Sequence, residues 1–209
     1  MVSVVVFEFS GMRCQPLRRA LAYFTISVII QRLLISSLEL KMIQLPIHGN
    51  TLSIRLFEES DFVPFLSFML NKSSTQFLMF SEDQKTEAGA KELFDYVVNS
   101  YGSPEHIHSY AIVDKLTNVY VGSCGFSPYS DGIVECYFSI NEEFTGQGYA
   151  TKALSLLIDS LPSSFEVRAY CSPENKAAHS VLVNCKFSSN GLSKHAHFET
   201  EGLLFTYQK

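Results

Sequence analysis

The sequence predicts a mixed α/β fold of the α+β kind, with a central, mostly antiparallel twisted sheet flanked by helices. Three observations carry this. Three β-rich apolar runs follow one another between residues 109 and 141 with only short turns between them, which is hairpin spacing and not the spacing of βαβ crossovers. Two segments of helical period precede that block. A helix, a strand, a second helix and a last strand follow it.

The elements read in order as follows. In "TLSIRLF", residues 51–57, Leu52, Ile54 and Leu56 alternate with Ser53, Arg55 and Phe57, giving a strand with one apolar face. Asp61 stands where a helix cap belongs, ahead of Phe62, Phe65, Leu66 and Met69 on one helical face. Thr86 caps a second helix, residues 86–101, whose apolar stripe is Leu93, Tyr96 and Val97. "SYAIVD" and "VYVGSCGF" form a hairpin about "KLTN", and "GIVECYFSIN" adds a third strand after the turn "PYSDG". A helix over residues 149–161 ends at Pro162. "FEVRAYC" is a strand, "SPENKAAHSVLVNC" a helix with Pro173 in its first turn, and "EGLLFTYQK" the closing strand. There is no internal repeat and no low-complexity segment.

Length and composition bound the function. A chain of 209 residues holds one domain with a large core and an appendage. It is 46% hydrophobic and only 18% charged, with a formal net charge of -5 and no basic cluster in the domain, so nucleic acid is not the expected partner. A small molecule or another protein is. The cysteines, Cys14, Cys124, Cys136, Cys171 and Cys185, show no CxxC and no zinc spacing, and Cys124, Cys136 and Cys171 lie in strand-like runs. They read as buried thiols of a reduced, cytoplasmic protein. The paired histidines of "HIH" (His106, His108) and "HAH" (His195, His197) read as loop or strand-edge residues lining the acceptor end of a cleft, and no metal is expected.

Residues 1–41 read as a leader or a mis-called start. Their uncharged run, residues 20–30, follows Arg13, Arg18 and Arg19, is broken by Gln31 and Arg32, and is too short to span a membrane. The domain is expected over residues 42–209.

The stretch "INEEFTGQGYATKAL", residues 140–154, places Gly146 and Gly148 where a helix begins, although Ser, Thr, Asp or Asn caps a helix better. A strand that passes through a glycine loop into a helix leaves several backbone N–H groups pointing one way at the positive end of the helix dipole, and phosphate binds there. The spacing is not that of a Walker loop, which needs GxxxxGK. The dinucleotide fingerprint fails because Thr151 stands at its third glycine and the loop follows hairpin-linked strands.

With that loop, the segments "TLSIRLFEESD", "VGSCGF", "VECYFSINEEFTGQGYATKAL" and "VRAYCSPENKAAHSVLVNCKF" resemble the GNAT family of N-acetyltransferases over about residues 51–207, in particular the branch acting on ribosomal-protein N-termini and many small amines. The resemblance implies a splay between two central strands and binding of acetyl-CoA. It gives the diphosphate to the amides of Gly146, Gln147, Gly148, Tyr149, Ala150 and Thr151, and the pantetheine arm to the strand backbone at Phe138, Ser139 and Ile140. Asn175 matches the family asparagine that bonds the arm or orders the helix start. The sequence departs from the family pattern at Thr145, at Lys186-Phe187, at Ala178 where a serine is frequent, and at Leu182 where many members carry a tyrosine acid.

For amide formation from a thioester, an amine must lose a proton, the carbonyl must be polarised and a thiolate must leave. Alternation along "VECYFSI" sets Glu135, Tyr137 and Ser139 on one face, so Glu135 is the expected base. Ser139, Tyr137, Tyr170 and His179 are possible donors to the thiolate. The expected activity is acetyl transfer from acetyl-CoA to a primary amine, on a protein N-terminus or a small molecule; the alternative is a non-catalytic acyl-CoA-binding module of the same fold. Because nothing after Met42 needs the leader for its pattern, a chain beginning at Met42 should bind CoA as the full chain does, which calorimetry on the two checks.

Overall fold

In the computed structural model, which describes residues 43–103, 106–130, 132–195 and 200–208, eight strands form one sheet. The leader, Cys14 and His197 lie outside the described residues. The strands are β1 (Ile47–His48), β2 (Leu52–Arg55), β3 (Ser109–Asp114), β4 (Tyr120–Ser130), β5 (Ile133–Ile140), β6 (Glu166–Cys171), β7 (Ser188–Lys194) and β8 (Glu201–Tyr207). Their order across the sheet is β1-β2-β3-β4-β5-β6-β8-β7, and every pair is antiparallel except β5 with β6. The helices are α1 (Phe62–Leu70), α2 (Lys72–Thr75), α3 (Glu87–Ser100), α4 (Tyr149–Ser160) and α5 (Lys176–Asn184). This is the mixed, mostly antiparallel architecture that the sequence predicts. Among the described residues no helix is long and apolar enough to cross a membrane.

The sheet buries both faces. Val134, Cys136, Phe138 and Ile140 of β5 join Leu154 and Leu157 of α4 and Ala178 and Leu182 of α5 in one core. Ala111, Val113 and Tyr120 on the opposite face join Phe65, Phe68 and Met69 of α1 and Leu93, Phe94 and Val97 of α3 in the other. Between β5 and β6 the ladder is short. Only Ile133, Val134 and Glu135 pair, with Glu166, Val167 and Arg168, and beyond them β5 stays on β4 while β6 stays on β8. The two halves of the sheet splay apart there.

Several local expectations change. Alternation stops at Arg55: Leu56 is 37% exposed, whereas Phe57 is buried, packing edge-on against Phe65 and Phe94 with centroids 6.0 and 5.4 Å away. Asp61 makes no side-chain cap on α1. It is buried and gives its carboxylate to Arg55, at 2.6 and 3.0 Å, and to the amide of Glu58 at 2.8 Å. A forked ion pair outcompetes a single capping bond. Phe68 joins the buried face of α1, and Ala90 and Phe94 that of α3, from which Tyr96 turns outward. Thr86 caps α3 as expected, accepting from the amide of Gly89 at 3.1 Å. Helix α5 starts at Lys176, so Pro173 precedes it. Strands β1 and β7 are additional. The first is two residues long and the second, "SSNGLSK", is a largely exposed edge strand whose polarity hides it.

Cys124, Cys136, Cys171 and Cys185 are free and buried. Burial raises all four thiols, Cys171 to about 11, which keeps them protonated.

The Asp61 carboxylate, by its bond to the guanidinium, holds the Arg55 pKa above its ordinary value and fixes the entry to α1. Arg55→Ala strands a buried carboxylate and should cost roughly 3 kcal/mol, the scale for breaking one half of a buried pair. Urea unfolding of the two proteins measures it.

Candidate active site

The candidate site is built around the splay. At its open end β5 runs into the loop that carries the glycines. Gly146 and Gly148 have φ of 74° and 81°, and Gly148 occupies the cap position of α4. A Cβ on Gly146 would meet nothing within 4 Å, and one on Gly148 only the Lys152 side chain at 3.8 Å. Internal packing therefore does not demand these glycines. They secure a left-handed backbone and an unobstructed outer surface.

The neighbouring side chains fold back and leave that surface clear. Gln147 donates to the carbonyl of Glu143 at 3.0 Å, and the Tyr149 hydroxyl donates to Asp114 at 2.9 Å, tying the start of α4 to the end of β3. Helical bonding begins only with the amide of Lys152 on the carbonyl of Gly148. Among the described residues the amides of Gly146, Gly148, Tyr149, Ala150 and Thr151 find no backbone acceptor. Such a set of donors suits a phosphate. The loop is also tethered to the helices of the other face: the Asn141 side chain donates to the carbonyl of Pro64 in α1 at 2.9 Å, and Asn71 donates to Glu142 at 2.6 Å.

Along the gap, Phe138 and Ile140 bury their side chains in the core, so only their backbone can meet a ligand. The Ser139 hydroxyl lies 2.8 Å from that of Ser123 on β4, and both are buried. Across the gap, Asn175 follows β6 and caps α5, its Oδ1 accepting from the amide of Ala178 at 3.1 Å. Ala178 and Leu182, where the family pattern has a serine and a tyrosine, are both fully buried core residues.

At the closed end of the splay stands Glu135, 2% exposed. Its sheet neighbour Arg168 turns instead to Glu166, at 2.6 Å, and lies over the Tyr129 ring. The carboxylate is met by His195, whose Nε2 lies 3.1 Å from both carboxylate oxygens. His195 is buried just beyond β7, edge-on to the rings of Tyr129 and Tyr170 at 5.8 and 4.7 Å. Burial holds its imidazole below the ordinary histidine pKa. A neutral ring with its proton on Nε2 donates to Glu135 and steadies the carboxylate.

His195 thus lies in the loop just past the edge strand β7, as the sequence suggests, with its side chain buried against Glu135. His108 is buried as well, stacked on Phe126 at 4.4 Å, whereas His106 lies near it without closing a ligand set. Among the described residues no group of three or more His, Cys, Asp or Glu is placed to hold a metal. Sequence spacing did not pair Glu135 with His195, which are 60 residues apart. Glu135 and Ser139 share a face but stand four residues, or roughly 13 Å, apart along the strand, with Tyr137 between them. They address different parts of any one ligand.

Comparison with known proteins agrees with the fold. The family model for the acetyltransferase (GNAT) domain matches residues 51–188. No curated protein sequence matches the chain. Among solved structures, the ribosomal-protein-S5-alanine acetyltransferase of Vibrio fischeri aligns with a TM-score of 0.63 at 17% identity, covering 79% of this chain and 97% of that one. The GNAT acetyltransferase of Bacillus anthracis aligns at 0.62 and 18% identity, covering 78% and 96%. Mycobacterium smegmatis RimJ, solved in complex with CoA-disulfide, aligns at 0.59 and 16% identity, covering 75% and 81%. At these identities the likeness is one of fold.

Gly148 separates two effects. Asn tolerates the left-handed region, so Gly148→Asn should keep the melting temperature while its side chain obstructs the amides and lowers CoA affinity at least tenfold. Gly148→Val adds backbone strain and should lose both. Calorimetry with CoA and thermal melts of the two variants check this.

Proposed function

Because the chain belongs to the GNAT acetyltransferase family, we propose that it moves an acetyl group from acetyl-CoA directly onto a primary amine, on a protein N-terminus or a small molecule. The observation that supports this most is the β5–β6 splay with a bare glycine loop at its open end. In this reading the diphosphate rests on the amides of Gly146, Gln147, Gly148, Tyr149, Ala150 and Thr151. The pantetheine arm lies in the gap, pairing with the backbone of Phe138, Ser139 and Ile140, while Asn175 holds the start of α5 on the far side. The unpaired part of β5, residues 136–140, spans roughly 16 Å at about 3.3 Å per residue, so an arm anchored at the loop brings its thioester toward Glu135.

The chemistry follows from that placement. A backbone N–H of β5 freed by the splay polarises the thioester carbonyl. As the amine nitrogen attacks, its proton passes to Glu135, directly or through water, and the N–H of His195 orients the carboxylate for the task. The carbonyl collapses, the C–S bond breaks and the electrons leave on sulfur. A thiol with a pKa of about 8.5 is a tolerable leaving group without a dedicated acid, so Ser139, bonded to Ser123 and distant from Glu135, belongs to the arm in this scheme. No metal is needed. Residues 42–209 make up the catalytic domain and residues 1–41 a separable leader. One neighbour is named for the N-terminal serine of ribosomal protein L7/L12 and another for a ribosomal-protein alanine, which makes short peptides with free N-termini the first acceptors to try, in the cytoplasm where such substrates are made.

A second reading, a module that holds acyl-CoA without turnover, is favoured by Leu182 and Ala178, whose places in the core leave no tyrosine acid and no serine there. A thiol-release assay with acetyl-CoA against peptides, polyamines and aminoglycosides decides between them.

If Glu135 is the base, Glu135→Gln should lower turnover by roughly 10²–10⁴-fold and leave CoA affinity unchanged. The deficit should shrink as pH rises, since more of the amine is then already neutral. A pH series of kcat for the two enzymes, with CoA titrations beside it, tests both parts; undiminished turnover across the range would move the base elsewhere.

A further inference from the structure

On the α1/α3 side of β5 lies a cavity with about 50 Å³ of interior space. Phe65 of α1 and Phe94 and Val97 of α3 wall it, and Ser123, Tyr137 and Ser139 form its floor. The walls are fixed by packing, with the Phe65 and Phe94 rings 5.5 Å apart and both against Phe57. On the floor the two serine hydroxyls bond each other. Gly125 lets the Tyr137 ring lie close over β4, where a Cβ would come within 2.4 Å of the Tyr137 hydroxyl oxygen. Every described residue that lines the cavity is uncharged. It is therefore a poor seat for an ammonium group or a peptide backbone, both of which would lose their hydration there.

We propose that this cavity receives the acyl chain of the donor, so that the protein accepts short-chain acyl-CoA of about four to six carbons and prefers it to acetyl-CoA. The inference rests on the CoA reading above. Two observations select the acyl chain as the occupant. The floor is made by Tyr137 and Ser139, on the stretch of β5 between the glycine loop and Glu135 along which the arm and its thioester lie, while Glu135 and His195, which receive the amine, do not line it. The volume then sets the length. At roughly 10–15 Å³ per water-sized group, the space takes about three to five such groups beyond the carbonyl, where acetyl supplies one.

Calorimetry of the full chain with CoA, acetyl-CoA, butyryl-CoA and decanoyl-CoA tests this without any acceptor. Butyryl-CoA adds two methylenes and should bind roughly 15-fold more tightly than acetyl-CoA. Decanoyl-CoA, too long for the cavity, should lose that advantage. Val97→Phe, which fills the cavity from its wall, should abolish the preference and keep affinity for CoA itself. Leu78→Trp, at a half-buried lining position, provides the same test should Val97→Phe not fold. Equal affinity for acetyl-CoA and butyryl-CoA in a protein that binds CoA overturns the inference alone and gives the cavity to a side chain of the acceptor. A folded protein that binds no CoA overturns the donor reading and this inference with it.

Discussion

The site depends on a ladder that stops. After Glu135 and Arg168 the parallel pairing of β5 with β6 ends, although both strands continue. Each is held elsewhere: β5 remains in register with β4 as far as Ile140 on Gly122, and β6 with β8 as far as Cys171 on Leu203. Backbone groups left unpaired in a protein interior cost about 1–3 kcal/mol apiece unless something else bonds them. A sheet with such a gap at its centre is stable only if water or a ligand's own amides complete it. Binding along the gap is thus a continuation of the sheet's own hydrogen bonding.

The two ends of the gap differ in chemistry because different elements reach them. The open end receives a helix start and a loop stripped of side chains, which suits an anion of any shape that offers oxygens. At the closed end the two strands are paired. There Glu135 and His195 are buried together, with Arg168 diverted to Glu166. The diversion matters, since a guanidinium on Glu135 would hold the carboxylate ionised and make it a weaker proton acceptor. A neutral imidazole orients the same group with a smaller electrostatic bias.

Much of this was legible in the sequence where local physics decides. Hairpin strands show because alternation and turn residues are local. The glycine loop shows because Gly146 and Gly148 stand where better helix caps would otherwise be chosen. Legibility ended where tertiary contacts took precedence. Asp61 carries the local signature of a cap, but its carboxylate is committed to Arg55. Phe57 falls on the polar side of an alternation that had already ended, and turns into the aromatic core. Strand β7 was missed because an exposed edge needs no apolar face, and His195 found Glu135 only through the placement of that strand.

The bonds from Asn141 to Pro64 and from Asn71 to Glu142 have a mechanical meaning. They fasten the segment leading into the glycine loop to α1 and the start of α2, which lie on the opposite face of the sheet from α4 and α5. The loop whose amides face outward and the helix that walls the aromatic cavity are thereby held at a fixed spacing by two side-chain bonds, so the depth of the gap between them is set by the protein's own packing.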